Sequence, residues 1–148
     1  MEGWVIRLAT AADAGSVSAL LAETSEAAHW SPADIADLLR SGANILICEE
    51  LGELYGVVVW RIAGGEAEVL NLAVGQSFRR MGIGTELTRA VLTEAQSQGA
   101  ESVFLEVRES NRVAREFYSR FGFIQHGRRR GYYNHPTEDA LVLSRKLG

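Results

Sequence analysis

Several features that would suggest other classes of protein are scarce or missing in this chain of 148 residues. Its one cysteine, Cys48, cannot form an internal disulfide, which is typical of a reducing compartment. No apolar run approaches the ~20 residues that a membrane-spanning helix needs. Residues 1–4 show neither the basic start nor the apolar core of a signal peptide. We therefore expect a cytoplasmic protein without a membrane partner.

Lysine is also nearly absent, since Lys146 is the only one. A P-loop is excluded around the glycines at positions 82 and 84, because its motif G-x-x-x-x-G-K-[ST] requires a lysine that is missing here. A dinucleotide-binding fingerprint is excluded because Leu87 stands where its third glycine would be. The three histidines show no metal-site spacing with cysteine or carboxylates, so we expect no metal.

What is present describes an ordinary globular chain, with 47% hydrophobic and 23% charged residues. The length fits a single domain over residues 1–148. Charge is uneven, with a net −8 in residues 1–78 and +4 in residues 79–148. The acidic half would suit a cationic substrate; the alternative is that the distribution of surface charge has no functional role. The run Arg128-Arg129-Arg130 is weak support for nucleic-acid binding, and we expect no direct nucleic-acid partner.

The stretch around which the chain is organised runs from Leu70 to Thr85. Residues 70–74 are apolar apart from one asparagine and predict a buried strand, and the residues after Gly82 and Gly84 repeat apolar side chains every fourth position, as in a helix. Backbone N–H groups at a helix start lack internal partners, and glycines let a ligand approach them. This pattern predicts a phosphate or pyrophosphate site, the alternative being a helix start with glycines for packing only.

The remaining pattern predicts the order β-α-α-β-β-β-α-β-α-β-β, hence an α/β fold in which helices flank a mixed sheet. Thr10 or Asp13 can cap the first helix, and Ser31 with Pro32 begins the second. Gly99 suits the end of the third helix, and Ser110 can cap the fourth.

The segment Arg79-x-x-Gly82-x-Gly84 resembles the R/Q-x-x-G-x-G/A signature of the GNAT acyltransferases. The predicted element order is also the GNAT order, so the resemblance covers nearly the whole chain and implies the mixed, mostly antiparallel GNAT sheet. It further implies that the loop holds the pyrophosphate of acetyl-CoA and that the strand before it hydrogen-bonds the pantetheine amides. The cofactor-binding residues expected on this basis are Leu72, Ala73, Val74, Arg79, Arg80, Met81, Gly82, Ile83, Gly84 and Thr85.

Further stretches look like the RimI branch of GNAT enzymes, which acetylates the N-terminal alanine of a small-subunit ribosomal protein. They are residues 70–74, 104–111, 117–123 and 129–140, and Trp30-Ser31. Departures from the branch are His29 and Ile35, in place of Pro and an aromatic, and Gly75-Gln76-Ser77, in place of Asp-Pro.

Glu106 is the candidate general base, because a carboxylate among apolar strand residues needs a purpose or a partner, and the resemblance implies the same role. The alternative is a structural carboxylate paired with Arg108 or Arg112. Tyr118 is the candidate acid for the CoA thiolate, or else a tyrosine packed beside Phe117 and Phe121.

Asn111 and Arg115 share a helix face with Tyr118 by spacing and are expected to line the cofactor. Trp30, Tyr132 and Tyr133 are candidates for the peptide site, the alternative being core aromatics.

Three hypotheses follow from the sequence. The first is an acetyl-CoA-dependent acetyltransferase of a protein N-terminus, by direct attack with Glu106 as base and Tyr118 as acid. The second is the same fold acting on a polyamine or aminoglycoside, and the third is a CoA-binding module without turnover. The match from Tyr132 to Ala140 favours the first. We expect a monomer or weak dimer.

Overall fold

The strands and helices follow the predicted order in the computed structural model, which describes residues 3–24 and 27–148. Within these residues lie seven strands and four α-helices. The strands are β1 Val5–Leu8, β2 Asn44–Glu50, β3 Glu53–Ala63, β4 Glu66–Val74, β5 Ser102–Arg108, β6 Ile124–Tyr133 and β7 Glu138–Lys146. The helices are α1 Ala14–Glu23, α2 Pro32–Arg40, α3 Ile83–Ser97 and α4 Arg112–Ser119, with short 3-10 helices at Ala11–Asp13 and Gln76–Phe78.

Helix boundaries mostly follow the local capping chemistry that the sequence predicts. Ser31 caps α2 as expected, its Oγ accepting from the backbone N–H of Asp34 at 3.1 Å. Gly99 follows α3 with φ 88°, a left-handed conformation that glycine adopts without strain. Ser110 as the cap of α4 was wrong, because the Oδ1 of Asn111 accepts from the N–H of Ala114 at 3.1 Å.

The predicted mixed, mostly antiparallel sheet is confirmed. Its hydrogen-bonded strand order is β1-β2-β3-β4-β5-β7-β6. β4 and β5 pair in parallel, with Glu66 opposite Ser102, whereas β1–β2, β2–β3, β5–β7 and β6–β7 pair antiparallel. No helix in the described part of the chain is long and apolar enough to cross a membrane.

The chain divides into two compact units. The single domain over residues 1–148 that was expected from the length therefore stays a prediction. The first comprises Met1–Arg61 and Leu70–Glu94, and the second Ile62–Val69 and Ala95–Gly148. The first unit has a core in which α1 and α2 pack against its strands. Its fully buried side chains include Val17, Leu21, Ile35, Ile45, Ile47, Val57 and Val59.

Gly56 sets the distance between β3 and α3 in the first unit. A methyl group there would lie 2.9 Å from a side-chain carbon of Ile83 and 3.2 Å from one of Leu87. Ile83 and Leu87 are buried, as the helical periodicity predicts, and Ile83 is the first residue of α3. The small residue on β3 therefore lets the start of α3 approach the strand closely.

Burial along β4 corrects the expectation of a buried strand. Asn71 and Ala73 are buried, whereas Leu70, Leu72 and Val74 are half-buried. The alternation follows from the pleat, which directs successive side chains to opposite faces. Asn71 satisfies its buried amide by donating from Nδ2 to the carbonyl of Ala28 at 3.1 Å.

In the second unit, β5 alternates in the same way and has one buried face and one half-buried face that carries both charged residues of the strand. Val103, Leu105 and Val107 are buried. Phe104, Glu106 and Arg108, on the opposite face, are half-buried. This alternation brings the acid at 106 to the same side of the sheet as its neighbours two positions away.

Candidate active site

The predicted phosphate loop follows β4 through the short 3-10 helix at Gln76–Phe78. The ring of Phe78 stacks on that of Tyr55 with centroids 3.9 Å apart. The N–H of Gly75 donates to the carbonyl of Tyr55 at 2.9 Å, and Phe78 N–H donates to the Gly75 carbonyl at 2.9 Å. These contacts hold the connection between β4 and the loop in place. Its residues Gly75-Gln76-Ser77 are those that replace the Asp-Pro of the RimI branch.

The loop then turns sharply into α3. Arg80 and Gly82 have φ of 66° and 84°, so the backbone is left-handed at both positions. The first intrahelical bond runs from the N–H of Glu86 to the carbonyl of Gly82 at 3.0 Å. The N–H groups of Ile83, Gly84 and Thr85 precede that bond and lie at the positive end of the helix dipole. The geometry is that of an anion-binding helix start.

Two exposed arginines flank this helix start. Arg79 donates from Nε to the carbonyl of Val74 at 3.4 Å, and Arg80 is exposed beside it. Met81 is 40% exposed. The expected cofactor-binding residues 72–74 and 79–85 thus lie in one continuous stretch of the first unit. Their role toward acetyl-CoA stays a prediction.

Glu106, the candidate base, forms an ion pair with a residue that the sequence did not single out as its partner. Its Oε2 contacts the Nε of Arg129 on β6. The contact is an ion pair rather than an aligned hydrogen bond, since Oε2 is buried and accepts no hydrogen bond from the described residues. Arg108 and Arg112, the partners considered from sequence, do not form this pair in the described structure.

Arg108 instead organises the turn between β6 and β7. Its guanidinium contacts Glu138 at 3.2 Å and donates to the carbonyls of Asn134 and Pro136 at 3.1 and 3.3 Å. It also lies over the ring of Tyr133, 4.4 Å from the centroid. This arginine therefore fixes the turn that follows Tyr132 and Tyr133.

The two tyrosines lie beside the candidate base rather than in a core. Tyr132 is 50% exposed, and its ring is perpendicular to that of Tyr133 with centroids 5.1 Å apart. Arg129 lies 5.6 Å from the Tyr132 centroid. The pKa of Tyr133 is raised by burial and then by the charge of Glu106. Tyr132 is thus exposed and Tyr133 is half-buried, and their role as a peptide site stays a prediction.

A second group of charges surrounds the same turn. Arg128 pairs with Glu109 at 2.9 Å and with Asp139 at 2.8 Å. The hydrogen bond from Arg128 lowers the pKa of Glu109, and that from the N–H of Gly131 lowers the pKa of Asp139. Bonds from Ser110 lower the pKa of Glu138, whose Oε2 accepts from the Ser110 N–H at 2.5 Å. Arginine-rich strand β6 and the acids at 138 and 139 are the sequence signal for this network, but its pairing needs the strand register.

Helix α4 supplies the other three predicted residues of the second unit. Tyr118 is 7% exposed and packs against Phe117 and Phe123, with centroids 5.1 and 5.5 Å away. Burial raises the pKa of its phenol. Asn111 uses its Oδ1 as the helix cap, and exposed Arg115 donates to the carbonyl of Glu109 at 2.9 Å.

Arg115 also lines an open cleft of about 860 Å³ in the second unit, whose walls include neither Glu106 nor Tyr118. The cleft is lined by Arg112, Arg115, Glu116, Ser119, Arg120, Phe123, Ile124, Gln125, Leu141 and Leu143. Asn111, Arg115 and Tyr118 have the predicted helical spacing, but their environments differ. Asn111 caps the helix, Arg115 is exposed and lines the cleft, and Tyr118 is buried.

Trp30 lies in the first unit, half-buried against the core formed by α1, α2 and the strands. Its carbonyl accepts from the Ser18 hydroxyl at 2.6 Å. Its predicted contact with a peptide stays a prediction. Among the described residues, no group of histidine, cysteine or acidic side chains could hold a metal.

Comparison with known proteins agrees with this geometry. Residues 16–123 match the model of the Acetyltransferase (GNAT) family. The chain is 32% identical over 130 residues to a [Ribosomal protein bS18]-alanine N-acetyltransferase from Haemophilus ducreyi, covering 84% of this chain and 90% of that protein. It is 33% identical over 118 residues to an N-alpha-acetyltransferase from Sulfurisphaera tokodaii, covering 71% and 70%. The crystal structure of Ard1 from Thermoplasma volcanium superimposes with a TM-score of 0.90 at 31% identity, covering 99% of both chains.

Proposed function

The chain belongs to the GNAT acetyltransferase family, and from that premise we propose that it acetylates the α-amine of an N-terminal alanine, with ribosomal protein bS18 as the acceptor. The observation that carries the proposal is the cluster of Glu106, Arg129, Tyr132 and Tyr133. It combines a partly buried carboxylate on β5 with an exposed and a half-buried aromatic ring on β6, two strands that both pair with β7. Such a combination suits an amine attached to an extended chain, since the carboxylate can receive the amine and the rings can contact the chain that follows.

Acetyl-CoA supplies the acetyl group as a thioester. Glu106 accepts the proton that the acceptor nitrogen loses as it attacks the thioester carbonyl. The new bond joins nitrogen to the carbonyl carbon, and the bond from that carbon to sulfur breaks. The products are the acetylated amine and the CoA thiolate, which then takes up a proton.

Tyr118 is proposed to assist the departing sulfur. The raised pKa of its phenol lies well above the ~8.5 of an ordinary thiol, so complete proton transfer to the thiolate would be unfavourable. Donation of a hydrogen bond is still available from a phenol that stays protonated at neutral pH. We therefore assign Tyr118 as a hydrogen-bond donor to the developing thiolate, with the final proton coming from water.

The cosubstrate would be held chiefly by backbone groups. The N–H groups of residues 81–85, with Arg79 and Arg80, would take the pyrophosphate. The strand Leu72–Val74 would hydrogen-bond the pantetheine amides. Asn111 has its Oδ1 occupied by the cap, so its Nδ2 would be the group that reaches the pantetheine, and Arg115 would contribute at the cofactor's periphery.

A broader acceptor range is the second candidate. The Sulfurisphaera tokodaii relative is named an N-alpha-acetyltransferase, with no acceptor in its name, and the structure shares its fold over almost its whole length with Ard1 from Thermoplasma volcanium. Trp30, with His29 and Ile35 at the positions that depart from the RimI branch, would then widen the range of accepted first residues. With a ribosomal protein as the acceptor, the enzyme would act in the cytoplasm, where ribosomal proteins are made.

A turnover assay with acetyl-CoA tests the proposal. The acceptors are peptides that begin Ala-Arg, Met and Ser, a blocked peptide with one lysine, and spermidine. An α-amine has a pKa of ~7.7–8.0 and a lysine amine one of ~10.4, so at pH 7.5 the neutral fraction favours the α-amine by roughly two orders of magnitude. We expect the Ala-Arg peptide to react fastest. Comparable rates for all three N-termini would favour the broader function, and a preference for spermidine would contradict both.

A further inference from the structure

Arg129 is the feature of the second unit that the proposed reaction leaves unexplained. Its Nε contacts Oε2 of Glu106. This oxygen of the candidate base is buried away from solvent. A general base must come within hydrogen-bond distance of the proton that it removes. While Arg129 is in this position, that oxygen of Glu106 is covered by a cation.

The surroundings of Arg129 allow its guanidinium to move away from Glu106. Its side chain is 60% exposed, against 19% for that of Glu106, so the guanidinium can return to water at small cost while the carboxylate stays where it is. Arg129 lies on β6, at the end of the strand order, where the pairing with β7 shifts register between Arg129 and Tyr133. The nearby ring of Tyr132 offers the guanidinium an alternative partner.

The neighbouring arginines interact with acids other than Glu106. Arg108 holds Glu138 and two carbonyls of the β6–β7 turn. Arg128 bridges Glu109 and Asp139. Arg130 is exposed and acts through its charge on Asp139. Of these four arginines, Arg129 alone lies on the candidate base in the described structure.

We propose that Arg129 is a displaceable counterion of Glu106, which holds the carboxylate in place in the free enzyme and is exchanged for the acceptor's amine on binding. The inference rests on the proposed function, since it needs an acceptor amine that reaches Glu106. The amine replaces Arg129 as the ammonium, loses one proton to solvent, and then attacks as the neutral amine while Glu106 takes the second proton. The physical basis of the inference is that a partly buried carboxylate is costly without a partner. Arg129 meets that need before binding and the acceptor meets it afterwards, so Glu106 is never left unpaired and the acceptor competes with an internal cation.

Kinetics with one acceptor, the Ala-Arg peptide, test the exchange. Arg129→Gln removes the competing charge, so the KM for the peptide should fall by about two- to five-fold, the range expected for a mostly exposed ion pair, while kcat stays close to wild type. Arg129→Lys keeps the charge and should restore most of the wild-type KM. Arg130→Gln removes the same charge from the next position of the same strand and should leave KM unchanged. A KM that rises in Arg129→Gln would show that Arg129 binds the acceptor, and would overturn the proposal.

Nuclear magnetic resonance of arginine side chains gives a readout that does not depend on turnover. The Nε–H signal of Arg129, assigned by its loss in Arg129→Lys, should move in Glu106→Gln in the free protein. It should move in the same direction in the wild type when the Ala-Arg peptide is added, and not when the N-acetylated peptide is added. A signal that is identical in wild type and Glu106→Gln would overturn the ion pair whatever the turnover. Failure of every acceptor to react or bind would instead overturn the proposed function, and with it the exchange.

Discussion

The predicted phosphate loop of the first unit and the charged strip of the second unit differ in whether their polar groups already have partners within the fold. The loop, residues 79–85, presents backbone N–H groups at a helix start, two exposed arginines and a left-handed turn at Arg80 and Gly82. Its donors belong to the main chain and point outward because the helix begins there. An anion could therefore accept hydrogen bonds from these N–H groups without displacing another partner within the helix.

The charged strip, which comprises Glu106, Arg108, Arg128, Arg129, Glu138 and Asp139, has its charges paired with one another. A ligand that binds there has to replace a contact before it gains one. Donors supplied by secondary structure are thus unpaired in the loop, whereas the side-chain charges of the strip already have partners within the fold. We therefore expect variants in the loop to change acetyl-CoA binding, and variants in the strip to change turnover, the KM for the acceptor or the stability of the fold.

The largest effect should come from Glu106→Gln in the strip. The amide keeps the size of the side chain and cannot take a proton, so turnover should fall by roughly 10²–10⁴ while acetyl-CoA affinity stays near wild type. Residual activity should recover as the pH rises, because more of the acceptor amine is already neutral. Steady-state kinetics with calorimetric titration of acetyl-CoA measure both quantities. Glu101→Gln, an exposed acid just before β5, is the matched control. A Gln variant with wild-type turnover at pH 7 would remove Glu106 from the mechanism.

Gly84→Val should produce the converse result in the loop. A β-branched side chain in the first turn of α3 would occupy the space of the phosphate, so stabilisation by acetyl-CoA, roughly 2.7 kcal/mol at a hundred times Kd, should be lost. Thermal melting with and without millimolar acetyl-CoA measures it.

Gly15→Val is an unusually close control for this experiment, because Gly15 is also the second residue of a helix and a side chain there meets nothing within 4 Å. It should melt with the full acetyl-CoA shift. A wild type without any shift would contradict the assignment of the loop.

Tyr118→Phe tests a residue that is buried rather than paired. The ring and its packing against Phe123 remain, so Tm should stay close to wild type. Loss of a hydrogen bond made mainly in the transition state should lower kcat by about ten-fold or more and leave KM nearly unchanged. A variant that folds poorly but turns over normally per folded molecule would make Tyr118 a core residue only.

Arg128→Gln should give the smallest effect, on stability and with a pH dependence. Because the pKa of Glu109 is lowered in the fold, its stabilising contribution is present above the unfolded pKa and is lost as the pH falls through the folded one. The Tm difference from wild type should therefore be present at pH 7 and shrink below about pH 4. Melting curves across this range measure it, with Arg112→Gln as the control. A difference that persists unchanged at low pH would mean that Arg128 stabilises through packing alone.

The loop could be predicted from sequence because the turn and the helix start that define it are local. Apolar spacing at Ile83 and Leu87 sets the buried face of α3, Gly82 permits the left-handed turn, and the N–H groups follow from where the helix begins. The capping box at Ser31 belongs to the same class, since its partner Asp34 is one turn away. Glu106 and the tyrosine pair could be found as candidates by residue type and position, but not their partners.

The sequence by itself determined the element order, the start of α2 and the backbone geometry of the loop before α3, because hydrogen bonds and apolar periodicity within a few residues specify them. The tertiary structure alone decided that Arg129 and not Arg108 pairs with Glu106, that Arg108 holds the β6–β7 turn, and that Tyr118 is buried while Arg115 is exposed. The physical reason is that fourteen chemically identical arginines compete for the acids. Only the register of β5, β7 and β6 decides which guanidinium reaches which carboxylate.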